Sequence, residues 1–208
     1  MSDPFFSLPR TTRPADWFER VLPALALRLP ADAQTPWSAV HVLGPGGGTW
    51  GVRIAAGKLE IQRGVPPQVT SQWSMSTAHF REALAGALRD RAAGVLVKLG
   101  LPVALPDLSH ARLDQLGWQA LDSVGGSLAF HLGDRQVADT YRYVLTLGNG
   151  PAAFDKADTQ IDVDLDDLAT LAAARTPPLR LLTSGKLKIQ GNSELPMRAL
   201  TALLGAQR

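Results

Sequence analysis

The sequence contains no cysteine, which excludes disulfides, thiolate metal sites and cysteine nucleophiles. An excess of one charge is also missing. Its 21 basic and 19 acidic residues leave a formal net charge of +2, too little to pull strongly on nucleic acid or an anionic bilayer. No apolar run approaches the ~18 residues of a membrane-spanning helix; the longest, Ala92 to Leu105, is interrupted by Lys98 and Pro102. The opening Met1-Ser2-Asp3-Pro4 lacks the basic start and long apolar core of a secretion signal. The reading is a cytoplasmic protein with no stable membrane insertion and no nucleic-acid partner. What is abundant is apolar residues, 45% of 208 positions, enough to bury a real core in one or two domains.

The pattern along the chain divides it. Residues 1–14 carry Pro4, Pro9 and Pro14 and read as an irregular arm. Residues 1–105 have a net charge of +4 and residues 106–208 a net charge of −2. The boundary, Leu101-Pro102-Val103-Ala104-Leu105-Pro106-Asp107, reads as an apolar linker, because two prolines remove backbone donors and disfavour helix before them. In the first half, Trp17, Val21, Leu25 and Leu29 lie four apart on a helix that Pro23 should kink. Alternation predicts short strands around Val40 and Val42, Trp50 to Ile54, Leu59 to Ile61, and Trp73 to Met75. Ser76 caps a helix with Phe80, Ala83, Leu84, Ala87 and Leu88 on one face. Val95 to Leu99 reads as a further strand.

The second half repeats the plan. A helix carries Leu108, Leu113, Leu116, Trp118 and Leu121. Strands follow at Leu128 to Leu132, Tyr141 to Leu147, and Ile161 to Leu165, then a short helix from Leu168 and the strand Lys186 to Ile189. Trp50 to Ile54 falls on Tyr143 to Leu147, Trp73 to Ser76 on Ile161 to Asp164, and Gly94 to Val97 on Gly185 to Lys188, with offsets of 93, 88 and 91 residues. The order of patterns points to a duplicated domain, 15–105 and 106–208. The last helix, with Leu195, Met197, Leu200, Leu203 and Leu204, has no counterpart in the first copy.

Chemical motifs are few. Gly46-x-Gly48-x-x-Gly51 has the spacing of a dinucleotide fingerprint but leads into a strand, so it reads as a hairpin turn. Asp162, Asp164, Asp166 and Asp167 suggest a calcium loop, but Asp167 stands where glycine is required and Ala173 where the closing glutamate belongs. They read as a solvated strand face and a helix cap. His41, His79, His110 and His131 are scattered, no pair has metal-ligand spacing, and no Gly-x-Ser-x-Gly elbow occurs. Trp50 and Trp73 lie on apolar strand faces, as core or as cavity lining. Lys186 and Lys188 flank Leu187 and face away from it, protecting a sheet edge or contacting a head group.

The stretch Leu179-Arg180-Leu181-Leu182-Thr183-Ser184-Gly185-Lys186-Leu187-Lys188-Ile189-Gln190-Gly191-Asn192, followed by Met197 and Leu200, strongly resembles the closing segment of sterol carrier protein type 2 domains. Val163 to Leu168, Gly126 to Leu132 and Tyr143 to Gly150 resemble earlier parts of the same domain, so the likeness covers about 107–206. Over 15–105 it is thinner, resting on Gly48-Thr49-Trp50 to Gly57-Lys58 and on Met75 to Phe80. The resemblance implies an α+β fold of two tandem sterol-carrier-like domains. Each would be a mostly antiparallel, twisted five-stranded sheet covered on one face by helices, the first copy degenerate.

It also implies a non-enzymatic lipid-binding or lipid-transfer protein without cofactor or metal. The ligand would be a fatty acid, acyl-CoA, phospholipid, or isoprenoid or sterol-like lipid in an apolar cavity between sheet and helices. The expected lining is Phe130, Tyr143, Leu145, Leu181, Leu187, Leu195, Met197 and Leu200. From pattern alone the same side chains could fill a solid core. The alternative is a pseudo-dimeric scaffold or accessory factor for a lipid- or quinone-pathway enzyme.

Overall fold

The computed structural model describes residues 8–24, 29–98, 118, 120–172 and 176–205. A helical segment comes first: α1 (Pro14–Asp16), a π turn at Trp17–Val21, and α2 (Leu22–Ala24). Pro14 stands in the first helical turn, where a missing N–H is harmless. Pro23 cannot donate to the Glu19 carbonyl, and the wide turn lies just before it. Trp17 and Phe18 thereby face inward and are buried.

The first half continues with β1 (Ser38–Leu43), β2 (Gly48–Ala55), β3 (Lys58–Arg63), β4 (Ser71–Ser76), α3 (Thr77–Ala85) and α4 (Ala87–Lys98). The second half holds α5 (Ala120–Val124), β5 (Ser127–Asp134), β6 (Asp139–Leu147), β7 (Thr159–Asp164), α6 (Leu165–Ala172), α7 (Pro178–Thr183), β8 (Leu187–Gly191) and α8 (Leu195–Gly205). The Ser76 cap is present, its hydroxyl accepting from His79 N at 3.0 Å. So is the Asp164 cap, whose Oδ1 accepts from Asp166 N at 2.9 Å.

The fold is α+β with a mostly antiparallel open sheet, as expected. Its organisation differs from two five-stranded sheets: all eight strands form one sheet in the order β3-β2-β1-β4-β6-β5-β7-β8. The physical reason is β4. Its outer edge would be a liability if left unpaired, and it pairs antiparallel with β6 from Ser71↔Leu147 to Met75↔Tyr143. Each half contains an antiparallel hairpin, β1–β2 or β5–β6, and a strand parallel to its first member, β4 on β1 and β7 on β5.

The expected strand at Val95 to Leu99 is instead the end of α4, with Leu99 outside the described residues. The β-branched run continues a helix already anchored by Arg91, which reaches Asp166 at 2.7 Å and Asp134 at 3.7 Å; tertiary ties override local propensity. The expected single helix from Ser76 is also split, at Gly86, into α3 and α4. The linker at 101–107, the leucines 108, 113 and 116, and the arm up to residue 7 lie outside the described residues.

One face of the sheet is apolar, and the helices pack on it in three groups. Trp17, Phe18, Phe80, Leu84 and Ala85 cover Val42 and Trp50. Leu121, Leu195 and Ala199 cover Leu128, Leu147 and Ile161. Leu88 and Leu165 pack with Tyr141. The other face is partly covered by loops rather than bare. The strap between β6 and β7 crosses it, where Gly150 O accepts from Gln72 Nε2 and Ala153 N donates to Thr146 Oγ1. No described helix is long and apolar enough to cross a membrane.

Candidate functional site

The strand registers set two rows abreast on the helix side. One is Val40, Trp73, Leu145 and Leu128; the next is Val42, Met75, Tyr143, Phe130, Ile161 and Ile189. Alternation along each strand puts all of them on one side of the pleat. The ends of the rows are sealed by the helix groups. The middle is not: Val40, Trp73, Met75, Phe130, Tyr143 and Leu145 are each only half-buried. Five of the six sit at the margin of a core cluster, whereas Trp73 belongs to none. Trp73 stacks on Phe130, with ring centroids 6.2 Å apart and planes inclined by 26°.

This seam is apolar with one polar tip. The Tyr143 hydroxyl donates to the His79 carbonyl at 3.1 Å. Burial pushes the Tyr143 phenol well above its ordinary pKa, with Tyr141 and Glu82 adding to the effect. The group therefore stays neutral and its hydroxyl remains a donor. A long alkyl chain laid on such a floor gains about 0.8 kcal/mol per buried methylene.

The seam contains Phe130, Tyr143 and Leu145 of the eight expected lining residues. Leu187, on β8, is half-buried at the margin of the α5–α8 cluster. Leu181 is buried on α7, and Leu195 fills the core against Gly126, where an added Cβ would meet Leu195 Cδ2 at 2.9 Å. Met197 and Leu200 point outward from α8 and are 61% and 45% exposed, because Leu195, Ala199 and Ala202 form its inward side. The sequence pattern does not group Val40, Trp73 and Met75 with this lining. Their alternation was visible, but nothing in it says that β4 pairs with the second half.

The motif residues of the closing segment serve local structure. Gly191 has φ +89°, and a Cβ there would lie 2.2 Å from the Asp158 carbonyl oxygen, so glycine is required. Asn192 N donates to that same oxygen at 3.0 Å, and Asn192 Oδ1 accepts from Glu194 N at the start of α8. Lys186 pairs with Asp167 at 2.8 Å.

The described histidines do not form a nucleophile–base pair. His41 is buried on the far face between Thr49 Oγ1 at 3.2 Å and Gln72 Oε1 at 3.1 Å. His79 Nδ1 accepts from Arg142 N at 3.2 Å. His131 faces away from the helices and meets Asp162 at 3.2 Å. Among the described residues no three His, Asp or Glu side chains converge as metal ligands.

Comparison with known proteins finds one family model that matches part of the chain. The model of the SCP-2 sterol transfer family matches residues 109–204. Among solved structures, sterol carrier protein domain 2 of Helicoverpa armigera is similar at 22% identity, covering 42% of this chain and 73% of its own, with a TM-score of 0.33. Sterol carrier protein 2 of Yarrowia lipolytica is similar at 21% identity over 59% of this chain and 88% of its own, with a TM-score of 0.33. A double mutant of a sec-alkyl sulfatase is similar at 18% identity over 49% of this chain and 16% of its own, with a TM-score of 0.34. No curated protein sequence matches the chain. Residues 109–204 thus carry the pattern of the SCP-2 sterol transfer family, a match that supports a lipid-binding or lipid-transfer role in general terms.

Proposed function

We propose that this protein is a carrier without chemistry of its own, holding the hydrocarbon tail of a fatty acyl, isoprenoid or sterol-like lipid against the seam. One observation supports this above all: six contiguous apolar side chains remain half-buried where three sealed clusters meet. Ten buried methylenes would contribute roughly 8 kcal/mol before association costs, enough for micromolar or tighter binding. Phe130, Tyr143 and Leu145 would form the floor with Trp73 and Met75. Leu181, Leu187 and Leu195 would support its margin, and Met197 and Leu200 would form an outer apolar rim on α8. The halves 15–105 and 106–208 repeat the order hairpin, parallel strand, helix, which supports their reading as a duplicated domain.

Trp73 makes the reading testable. A fatty acid carrying a conjugated fluorophore that accepts tryptophan emission is titrated into the protein. Transfer from Trp73 should dominate the signal, and Trp73→Phe should keep the affinity within about threefold while losing most of the transfer. Leu145→Asp should weaken binding at least tenfold, since a charge would face the alkyl chain, with circular dichroism confirming the fold. Unchanged affinity in folded Leu145→Asp protein would overturn the site. The scaffold reading draws on the exposed Leu179 and Met197, 68% and 61% accessible. Native mass spectrometry separates the two, because a carrier should retain co-purified lipid.

A further inference from the structure

Helix α4 belongs to the first half of the chain but packs on the second, where its Leu88 closes on Tyr141 and Leu165. We infer that α4 is the entry flap of the seam, hinged at Gly86 and latched to the second half by Arg91. The inference rests on the lipid reading for what passes beneath the flap, not for the flap itself. α4 (Ala87–Lys98) lies outside residues 109–204, so the device is no part of the matched family segment.

Strand register places the ground under α4 beside the seam. Beyond the two rows of the seam, the same face carries a third: Tyr141, Leu132, Val163 and Leu187. It lies two residues, about 7 Å, along the strands from the row of Tyr143, Phe130, Ile161 and Ile189. Leu88 of α4 and Leu165 of α6 close over Tyr141, which is buried, and Leu132 and Tyr143 pack half-buried against them. Tyr143 therefore borders both the seam and the cluster under α4. Lifting Leu88 would extend the apolar floor onto Tyr141 and open the seam at that end.

Gly86 supplies the hinge. It is extended, at φ −109° and ψ −164°, so α3 stops and α4 starts afresh across a single residue. Each helix is satisfied there separately. Gly86 N donates to Glu82 O at 3.2 Å to end α3, and Glu82 Oε2 accepts from Ala87 N at 2.7 Å to begin α4. A turn of α4 about Gly86 leaves the internal bonds of both helices intact.

Arg91 supplies the latch. Its Nη2 donates to Asp166 Oδ2 at 2.7 Å, and the Gln136 amide oxygen, turned toward it, accepts from Nη1 at 3.2 Å and Nη2 at 2.9 Å. The Asp166 carboxylate is more than half exposed, so water competes for that bond. Arg91 Nε is closed to water and has no hydrogen-bond partner, lying 3.7 Å from Asp134 Oδ1, beyond bonding range. A buried charged N–H left unpaired costs free energy that water repays once the helix lifts. The closed position is thus held at Asp166 and Gln136 and penalised at Nε. That balance narrows the gap to an open state, which makes the contact a latch rather than a permanent brace.

Hydrogen exchange of the full-length protein without added lipid, followed by mass spectrometry, reads the flap directly. Asp166→Asn should speed exchange across α4 at least about fivefold and leave α3 and α6 within about twofold. Gln136→Ala, at the other contact of the guanidinium, should act in the same direction. Asp166→Glu keeps the charge and should stay within about twofold of wild type throughout. Stopped-flow mixing with the fluorescent fatty acid reads the portal. Asp166→Asn should raise uptake and release rates alike, about five- to tenfold, with Kd within about threefold, because a gate changes the path and not the end states. Unchanged exchange in α4 of both Asp166→Asn and Gln136→Ala, or equal acceleration in α6, overturns the flap even if the fatty acid binds. Faster exchange with unchanged rates, or an affinity loss carried by release alone, overturns the entry role. If the wild type takes up no fatty acid, the lipid reading and the entry role fail together, while the exchange result still decides the hinge and latch.

Discussion

The two halves of the sheet are sealed by different kinds of side chain. In the first, four aromatic rings from the N-terminal helical segment, β2 and α3 close on one another. Phe18 stacks on Trp50 at 4.8 Å and tilts against Phe80 at 5.8 Å, and the Trp50 indole donates to Glu19 at 3.0 Å. In the second, the cluster of Leu121, Leu128, Leu147, Ile161, Leu195 and Ala199 is entirely aliphatic and has half-buried Phe130, Leu145 and Leu187 at its margin. The far face shows the same contrast. Pro66 packs down onto Gly51 in the first half, whereas Gly133 in the second opens onto empty space. The two clusters close with different side chains, and the half-buried seam between them draws Val40, Trp73 and Met75 from the first half and Phe130, Tyr143 and Leu145 from the second.

The largest effect that would test this contrast is Trp50→Ala. A fully buried indole replaced by a methyl should cost about 3–5 kcal/mol, read from urea unfolding of the two proteins. Trp73→Ala, on the half-buried seam, should cost much less and should instead weaken fatty acid binding. Equal destabilisation by the two changes would mean that the seam is closed core like the first cluster.

A glycine pair probes the far face. At Gly51 an added Cβ would lie 2.3 Å from Pro66 Cγ and 2.8 Å from its Cδ. Gly51→Ala should therefore destabilise by about 1–3 kcal/mol, as overpacking does. Gly133→Ala meets only the Val163 carbonyl oxygen, at an ordinary 4.0 Å, and should stabilise by about 0.5 kcal/mol, through the lower entropy of the unfolded chain. The two shifts in thermal midpoint should have opposite signs; the same sign would remove the distinction between a covered and an open far face.

Much of this was legible in the chain itself. Alternation located β1 to β8, because a sheet buried on one side must repeat every second residue. Caps at Ser76 and Asp164 were legible because their hydroxyl and carboxylate chemistry is local. The closing Gly185-Lys186 and Gly191-Asn192 pattern carries the family likeness in local sequence alone. What local pattern does not carry is which edge meets which. The β4–β6 pairing joins residues about seventy positions apart, so Trp73 and Met75 could not be placed beside Phe130 and Tyr143. For the same reason the sequence pattern predicts Met197 and Leu200 as inward. Both are apolar, but α8 uses Leu195, Ala199 and Ala202 against the sheet.

Tyr143→Phe tests a side-chain bond that ties the second half to the backbone of α3, the 3.1 Å donation to His79 O. Its loss should cost about 1 kcal/mol at neutral pH, without weakening fatty acid binding more than a few-fold, since the ring remains. The pH dependence has a definite sign. Tyr143 in the folded protein holds its proton above the ordinary value of 10.0, chiefly because it is buried. As pH rises past about 10 the unfolded chain loses that proton first, the native state holds more protons, and stability falls. The phenylalanine variant lacks this contribution but keeps the similar one of Tyr141, raised by burial and then by Asp139, Glu82 and Asp134. The stability gap between wild type and variant should therefore narrow from pH 9 to pH 11 while both curves decline. A gap that stays constant over that range would mean that the hydroxyl is open to water, and with it the floor on which it stands.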